Sequence, residues 1–509
     1  MPHPMNRRDF MRMLALAAGG TALSGCRIPG LGGSSALRLT LLHYNDFHGA
    51  LYAKSEEGGE RGGAANLAGL IDRKRAETAD PVLLLDAGDA FQGTYISNSN
   101  RGQAVVEWMN LLGTTALALG NHEFDWGLDV LQDRAAQAEF PFLAANLETD
   151  NGKPLPFVEP YTVVEAGDHN VGILGLTYHD LKTIVKASSI EGIHSLPPAE
   201  TVRRYLPELQ AKSDLVIVLS HLGLEEDKDL AETVPEIPII VGGHTHKAIH
   251  AGQRVGNTLI VQAGAYGAYL GQVELVVERK TQAPGQETVA RLIKVTEAGT
   301  PNVEAQEIVD RWGKEADKIG SQVIGEAATH LARNRNYEMA LGNLIADAMR
   351  ATDLGDGKTF NIAVHNDGGI RTDLDAGPIT YAEIYAVLPF DNSLVGLDLT
   401  GEQVRELIEN GINNYGSQIQ VSGMRFTYSM NKSAGRRVVD VWVGEEKLDP
   451  ARTYRVVTID YLHTNPKYKF SLGRGTEVSF GGLCLDAVIE YIRDHSPVSA
   501  EVEGRIKRL

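Results

Sequence analysis

The sequence predicts an α/β protein of two or three domains, the first of them layered, and three observations carry that prediction. From Leu37 to about Thr300, short leucine-rich or β-branched runs alternate with helical segments, the pattern of an α/β layered domain. A charged stretch with helical periodicity, Val303 to Trp312, then suits a connecting helix over residues 301–320. The length of 509 residues also exceeds one core, because cores stop growing at roughly 250–300 residues. Hydrophobic residues make up 43% and charged residues 22%, which marks a globular chain and excludes a wholly disordered or fibrous one. The formal net charge of -18 argues against a body that binds nucleic-acid polymers by counterion release. The two cysteines, Cys26 and Cys484, can build neither a disulfide framework nor a thiolate zinc cage. Any metal must therefore use His, Asp and Asn, and Cys484 is expected in the core.

The first element is an address label. Arg7-Arg8 before Asp9-Phe10, an apolar run from Met13 to Leu23, and Ser24-Gly25-Cys26 follow the order of an export signal. The paired arginines resemble a twin-arginine signal, and Leu23-Ser24-Gly25-Cys26 resembles a bacterial lipobox, with Cys26 as the lipidated first residue of the mature chain. The apolar run of 11 residues is too short to span a membrane, which takes roughly 20. This reading makes the protein exported and lipid-anchored on the periplasmic or cell-surface face of a bacterial membrane. Residues 27–36, rich in Gly and Ser, read as a flexible spacer.

Next come five apolar strands, each of which stops at potential ligands. Leu37–Tyr44 is followed by Asn45-Asp46-Phe47-His48-Gly49, and Pro81–Leu85 by Asp86-Ala87-Gly88-Asp89. Ala116–Leu119 precedes Gly120-Asn121-His122-Glu123-Phe124-Asp125; Asp214–Leu219 precedes Ser220-His221; Ile237–Val241 precedes Gly242-Gly243-His244-Thr245-His246. A lone His at a strand end is ordinarily a hydrogen-bonded structural residue. Five such ends gather on one edge of a layered sheet, where ligands bind. Asp46, His48, Asp89, Asn121, His221, His244 and His246 form an N/O donor set suited to Mn, Zn or Fe. Seven ligands exceed the needs of one tetrahedral ion and fit a bridged pair, which clamps a phosphoryl group and activates water.

These motifs, in this order, resemble the calcineurin-like metallophosphoesterases, and specifically the bacterial 5′-nucleotidase and UDP-sugar hydrolase family, over nearly the whole mature chain. The resemblance implies a four-layer α-β-β-α sandwich over residues 37–300, joined by a helix to a smaller α+β domain, the 5′-nucleotidase C-terminal substrate-binding domain, over residues 321–509. It implies that Asp46, His48 and His246 hold one divalent ion, that Asn121, His221 and His244 hold the other, and that Asp89 bridges them. The family often carries Gln or Asn where His246 stands. His122, oriented by Asp125, would face the phosphoryl oxygen as an imidazolium. Glu123 would accept hydrogen bonds behind the ligands, and Phe91-Gln92-Gly93 would shape the site.

In the second domain the matching cues are Arg335 with Glu338, Leu341-Gly342-Asn343-Leu344, Asn366-Asp367-Gly368-Gly369-Ile370-Arg371 and Pro389-Phe390-Asp391-Asn392. Paired glycines at Gly368 and Gly369 allow a ligand to approach the backbone, and Arg371 and Arg335 can fork onto an anion. By resemblance, Phe390 and Tyr461 sandwich a base, with Asn366 beside them. The family's Gly-Gly-Asp-Gly-aromatic stretch is replaced here by Thr464-Asn465-Pro466-Lys467-Tyr468, which puts adenosine recognition in doubt. The implied function is hydrolysis of nucleoside 5′-phosphates, with nucleotide sugars and cyclic nucleotides as further candidates. Two alternatives stand beside it: a thiosulfohydrolase of bacterial sulfur oxidation, and a non-catalytic nucleotide-binding surface lipoprotein.

Overall fold

Leu37–Tyr44 (β1) is apolar on both faces, and only Arg38 is exposed, so the strand must be covered from both sides. A computed structural model shows how; it describes residues 37–56, 59–185, 189–277, 284–296, 299–355, 357–390, 392–468 and 471–509. The predicted export signal, the lipobox with Cys26 and the spacer lie outside the described residues, as does Asp391. Among the described residues, no helix is long and apolar enough to cross a membrane.

The N-terminal domain follows in chain order. After β1 come Ala64–Ala76 (α1), Val82–Asp86 (β2), Gln103–Leu112 (α2), Ala116–Ala118 (β3), Gly127–Gln137 (α3) and Phe142–Leu143 (β4). Tyr161–Ala166 (β5), His169–Leu176 (β6), Pro198–Lys212 (α4), Leu215–Ser220 (β7), Leu224–Thr233 (α5) and Ile239–Gly242 (β8) come next. Gln253–Val255 (β9), Thr258–Val261 (β10), Tyr269–Val277 (β11), Val289–Lys294 (β12) and Val303–Gly320 (α6) complete the run. One sheet has the order β12-β11-β1-β2-β3-β4 and the other β9-β10-β8-β7-β6-β5. Leu39 and Leu41 of β1 with Leu83 and Leu85 of β2 meet Ile173, Ile217, Leu219 and Val241 of the opposing sheet in the central core. The alternate residues Leu42, Leu84 and Leu117 face outward onto α1, α2 and α6, while Leu174, Val218 and Ile240 of the second sheet face α4 and α5. This period of two, with both faces apolar, makes the four α-β-β-α layers.

The apolar stripe of α6, Ala305, Ile308, Val309 and Ala316, joins the core under α1 and α2, so this helix belongs by packing to the N-terminal domain. Its N-terminus is capped by the Asn302 side chain, which accepts from the Ala305 amide at 2.8 Å. Beyond it lies a separate core built on Ala340–Ala351 (α7), Ile362–Asn366 (β13), Tyr381–Val387 (α8), Ser393–Thr400 (β14), Gly401–Gly411 (α9), Ile419–Ser422 (β15), Thr453–Ile459 (β16), Thr476–Leu483 (β17) and Cys484–His495 (α10). Its main sheet has the order β15-β13-β16-β14-β17. Cys484 is buried there. Tyr95 of the first domain packs against Tyr381 and Tyr385 of α8, with ring centroids 5.5 Å apart in both pairs, which brings the loop after α8 over the first domain.

Candidate metal centre

Strands β1, β2 and β3 run parallel with their ends aligned, Tyr44 beside Asp86 and Asp86 beside Leu117; β7 and β8 end together with Ser220 beside Gly242. Whatever follows these ends must converge. The five loops are stitched by backbone hydrogen bonds such as Asp46 N–H to Gly88 O at 2.8 Å and His48 N–H to Asp89 O at 2.9 Å. They turn tightly enough that Asp46, His48, Asp89, His244 and His246 all have left-handed φ angles, between 49° and 70°. Non-glycine residues seldom adopt this conformation, and they do so mainly where function holds them. Gly88 is needed for the same convergence, because a Cβ there would stand 2.7 Å from His221 Nδ1. A Cβ on Gly120 would overlap the Asp89 carboxylate.

The ligand atoms form three overlapping groups, Asp46–His48–His246, His48–Asp89–His122 and Asp89–His221–His244, each with its atoms within 4.8 Å of one another. His246 Nε2 lies 3.2 Å from Asp46 Oδ1 and 3.1 Å from His48 Nε2, and His221 Nε2 lies 3.1 Å from Asp89 Oδ2. The outer nitrogens are tied down: His48 Nδ1 donates to the Gln92 carbonyl at 2.9 Å and His221 Nδ1 to the Ala87 carbonyl at 2.6 Å. Both rings therefore turn Nε2 toward the centre. Burial pushes His48 and His244 down to about 4, so each offers a lone pair at neutral pH. Burial alone would raise the Asp89 carboxyl, but the charges of His221 and His122 and the His221 hydrogen bond hold it well below the usual carboxylate range. Asn121 Oδ1 is buried without a hydrogen-bond partner, and His221 Nε2 has only the Asp89 carboxylate beside it. Buried orphans of this kind are costly, and together with a set of imidazoles and carboxylates they fit divalent cations. These side chains fit the two ions that the sequence predicts.

His122 stands beside the ligands. Its amide donates to Asp89 Oδ1 at 2.9 Å and its Nδ1 donates to Asp125 Oδ2 at 2.6 Å. Burial works against its charge, but Asp125 and Asp89 outweigh burial and raise the imidazole well above its usual value. Glu123 is placed as expected, behind the ligands, and does more than the sequence suggests. It accepts from the amides of Gly120 at 2.7 Å and of Asp89 and Ala90 at 2.8 Å each, pinning two ligand loops together. Asn45 fixes Asp46 through a 2.6 Å bond from Nδ2 to Oδ2. Sequence reasoning missed Tyr266, whose ring lies 5.2 Å from that of His48 and 5.6 Å from that of His246. A left-handed φ of 56° at a tyrosine puts it there, and no local sequence signal announces that.

A cavity of about 710 Å³ opens over the centre; His48, Asp89, Asn121, His122, His244 and His246 form its floor, and Tyr385, Phe390 and Asn392 of the second domain line it as well. Phe390 is 48% exposed and Tyr461 53% exposed, unlike core aromatics. Arg371 lies over the Phe390 ring at 5.7 Å and donates to the Gly368 carbonyl at 3.3 Å. Arg335 is exposed and stands near Gly368. The Asn366 carbonyl accepts from His365 Nδ1, and Asn366 Oδ1 is buried without a hydrogen-bond partner. Asp460, next to Tyr461, is close enough to help raise His122. Lys467 donates to Gln418 Oε1 at 2.7 Å.

The sequence pattern of the calcineurin-like phosphoesterases matches residues 39–248, and that of the 5′-nucleotidase C-terminal domain matches residues 322–468. The chain is 30% identical to snake venom 5′-nucleotidase of Naja atra over 92% of its own length and 98% of that protein. It is also 30% identical to the trifunctional nucleotide phosphoesterase protein YfkN of Bacillus subtilis over 92% of its length, which spans only 35% of that longer protein. The solved 5′-nucleotidase precursor of Thermus thermophilus is similar over 93% of this chain and 99% of that one, with 34% identity and a TM-score of 0.61. With both sequence patterns in order and a relative matched along nearly its whole length, the chain belongs to the 5′-nucleotidase family of calcineurin-like phosphoesterases.

Proposed function

We propose that this protein is an exported, two-metal phosphoesterase that releases phosphate from nucleoside 5′-phosphates. The observation that carries the reading is one cleft whose floor draws residues from all three ligand groups, with His122 hydrogen-bonded to Asp125 beside them and, on its wall, Phe390 from the second domain. In this reading Asp46, His48 and His246 would hold one ion, Asn121, His221 and His244 the other, and Asp89 would serve both; Mn, Zn and Fe all suit such donors. When bound, the ions supply Lewis-acid polarisation of the phosphoryl group and acidify a water for attack on phosphorus.

The chain's own residues supply the rest. Asp125 takes the Nδ1 proton of His122 as its hydrogen-bond partner, which leaves Nε2–H as the donor toward the phosphoryl or leaving oxygen. Phe390 and Tyr461 offer faces for a base, Arg371 and Arg335 meet anionic groups, and Gly368, Gly369 and Asn366 form the adjoining loop. Lys467 and Pro466, where the family carries an acid and glycine, favour a nucleotide other than adenosine monophosphate. We assign residues 37–300 to hydrolysis, 301–320 to the connection and 321–509 to substrate choice. Residues 1–26 are assigned to export and Cys26 to a lipid anchor, on the strength of Arg7-Arg8 and Leu23-Ser24-Gly25-Cys26.

The test is phosphate release from a panel of nucleoside 5′-phosphates, nucleotide sugars and cyclic nucleotides, before and after chelation. Metal-dependent release from at least one nucleotide is expected. Silence with the whole panel, together with sulfate release from a thiosulfonated carrier protein, would move the protein to the thiosulfohydrolases.

A further inference from the structure

Strand β10 also ends beside the metal centre, and the residue that follows it, Gln262, is not among the candidate ligands. β10 runs parallel to β8 with Val261 beside Val241, so Gln262 emerges next to Gly242, where the loop that carries His244 and His246 begins. Its side chain is fully buried and reaches that loop at three points. Nε2 donates to the Gly243 carbonyl, while Oε1 accepts from the Thr245 hydroxyl at 3.1 Å and from the Lys247 amide at 2.6 Å. A carbonyl only accepts and a backbone amide only donates, so these partners fix which way the Gln262 amide points. Gly243 precedes His244, Thr245 lies between the two histidines, and Lys247 follows His246. One buried amide therefore brackets both.

The loop needs such support. His244 and His246 have φ angles of 70° and 54°, a left-handed conformation that non-glycine residues keep only where the surroundings over-determine it. His246 is exposed, so burial does not hold this end of the loop. The same clamp reaches two further ligand segments. The Thr245 hydroxyl accepts from the Leu224 amide at 3.2 Å, which ties the loop to the residues after His221. The Ala263 amide, next to Gln262, donates to Asn45 Oδ1 at 2.7 Å, and Asn45 is the residue that fixes Asp46. Groups placed in this way behind ligands orient them and tune metal affinity.

We propose that Gln262 is a positioning residue for both ions, holding His244 toward one and His246 toward the other. The proposal rests on the two-metal reading above. Because one side chain serves a ligand of each ion, its loss weakens both ions together, whereas loss of a single ligand falls mainly on one. A glutamine that only fills space beneath the loop would be replaceable by methionine, which has a similar length and no amide.

The experiment titrates the metal-free full chain with Mn²⁺ in a calorimeter, for wild type, Gln262→Met, Thr245→Val and His246→Ala. Wild type is expected to take up about two ions per chain, and Gln262→Met to bind both with dissociation constants raised about tenfold or more. Thr245→Val, which removes the hydroxyl that Gln262 accepts from, should raise both by a smaller factor. His246→Ala should weaken mainly one. With Co²⁺ in place of Mn²⁺, the visible absorption bands of the loaded chain should shift in Gln262→Met, since they report how the ligands are arranged around the ion. Gln262→Met that binds both ions as tightly as wild type, loses affinity for one alone, or leaves the bands unmoved overturns the proposal. If that variant shows no cooperative unfolding transition in denaturant, the same comparison is read from Thr245→Val. A wild type that binds two ions and hydrolyses no nucleotide counts against the functional reading, and the affinities still decide the part played by Gln262; a wild type that binds none overturns both.

Discussion

His122 and Asp125 carry the most informative chemistry at the scale of single residues. Because Asp125 favours the charged imidazole, activity that needs imidazolium is lost only as pH rises through a strongly raised value. Asp125→Asn removes the opposing charge, so the alkaline limb of the pH–rate profile should move to lower pH and kcat should fall by about 100-fold or more. A profile unchanged in position would show that the pair is structural. The candidate ligands were legible in the sequence, since Asp46, Asp89, Asn121, His221 and His244 each follow a recognisable apolar run. Left-handed backbone was not legible, because Asp46 or Tyr266 gives no local cue for it; tertiary hydrogen bonds impose it. Tyr266 and the carbonyl of Gln92 therefore emerge only in three dimensions.

Strands were the legible elements, and their bounds fall within two residues of those predicted, as in Leu215–Ser220 for Asp214–Leu219. Their partners were less so. β1 pairs antiparallel with β11, more than 200 positions later, with the His43 ring over Gly271, where any Cβ would overlap it. Long-range pairing of this kind leaves no local period to read. Strand β13 permits a stability test at a residue outside the candidate ligand set. Burial lowers His365 from 6.5 to about 4, so the unfolded chain takes up its proton first as pH falls. Stability is therefore lost between pH 6.5 and about 4 on account of this group. Buried Asp86, Glu123 and Asp227, all raised, act with the opposite sign, so the wild-type slope alone is not diagnostic. Denaturant unfolding of wild type and His365→Gln at pH 7 and pH 5 should show the variant losing less stability over that interval. An equal or greater loss in the variant would mean that His365 is not held neutral.

At the scale of the whole molecule, two cores meet at a tyrosine cluster and present Phe390 to the metal cleft. The two-domain division was legible from length and from the charged helix, but that helix proved to be part of the first core through the apolar stripe of α6. Phe390→Ala should raise KM for a nucleotide about tenfold, at a stacking cost of about 1–3 kcal/mol, and leave turnover of p-nitrophenyl phosphate near wild type. Equal losses on both substrates would contradict a base-stacking role. In the two-metal reading one carboxylate, Asp89, holds two cations on which phosphate release depends. Its most direct test is metal analysis of wild type and Asp89→Ala alongside nucleotide hydrolysis. About two divalent ions per chain are expected in the wild type, with loss of both full occupancy and phosphate release in the variant. A variant that keeps both ions and its activity would contradict it.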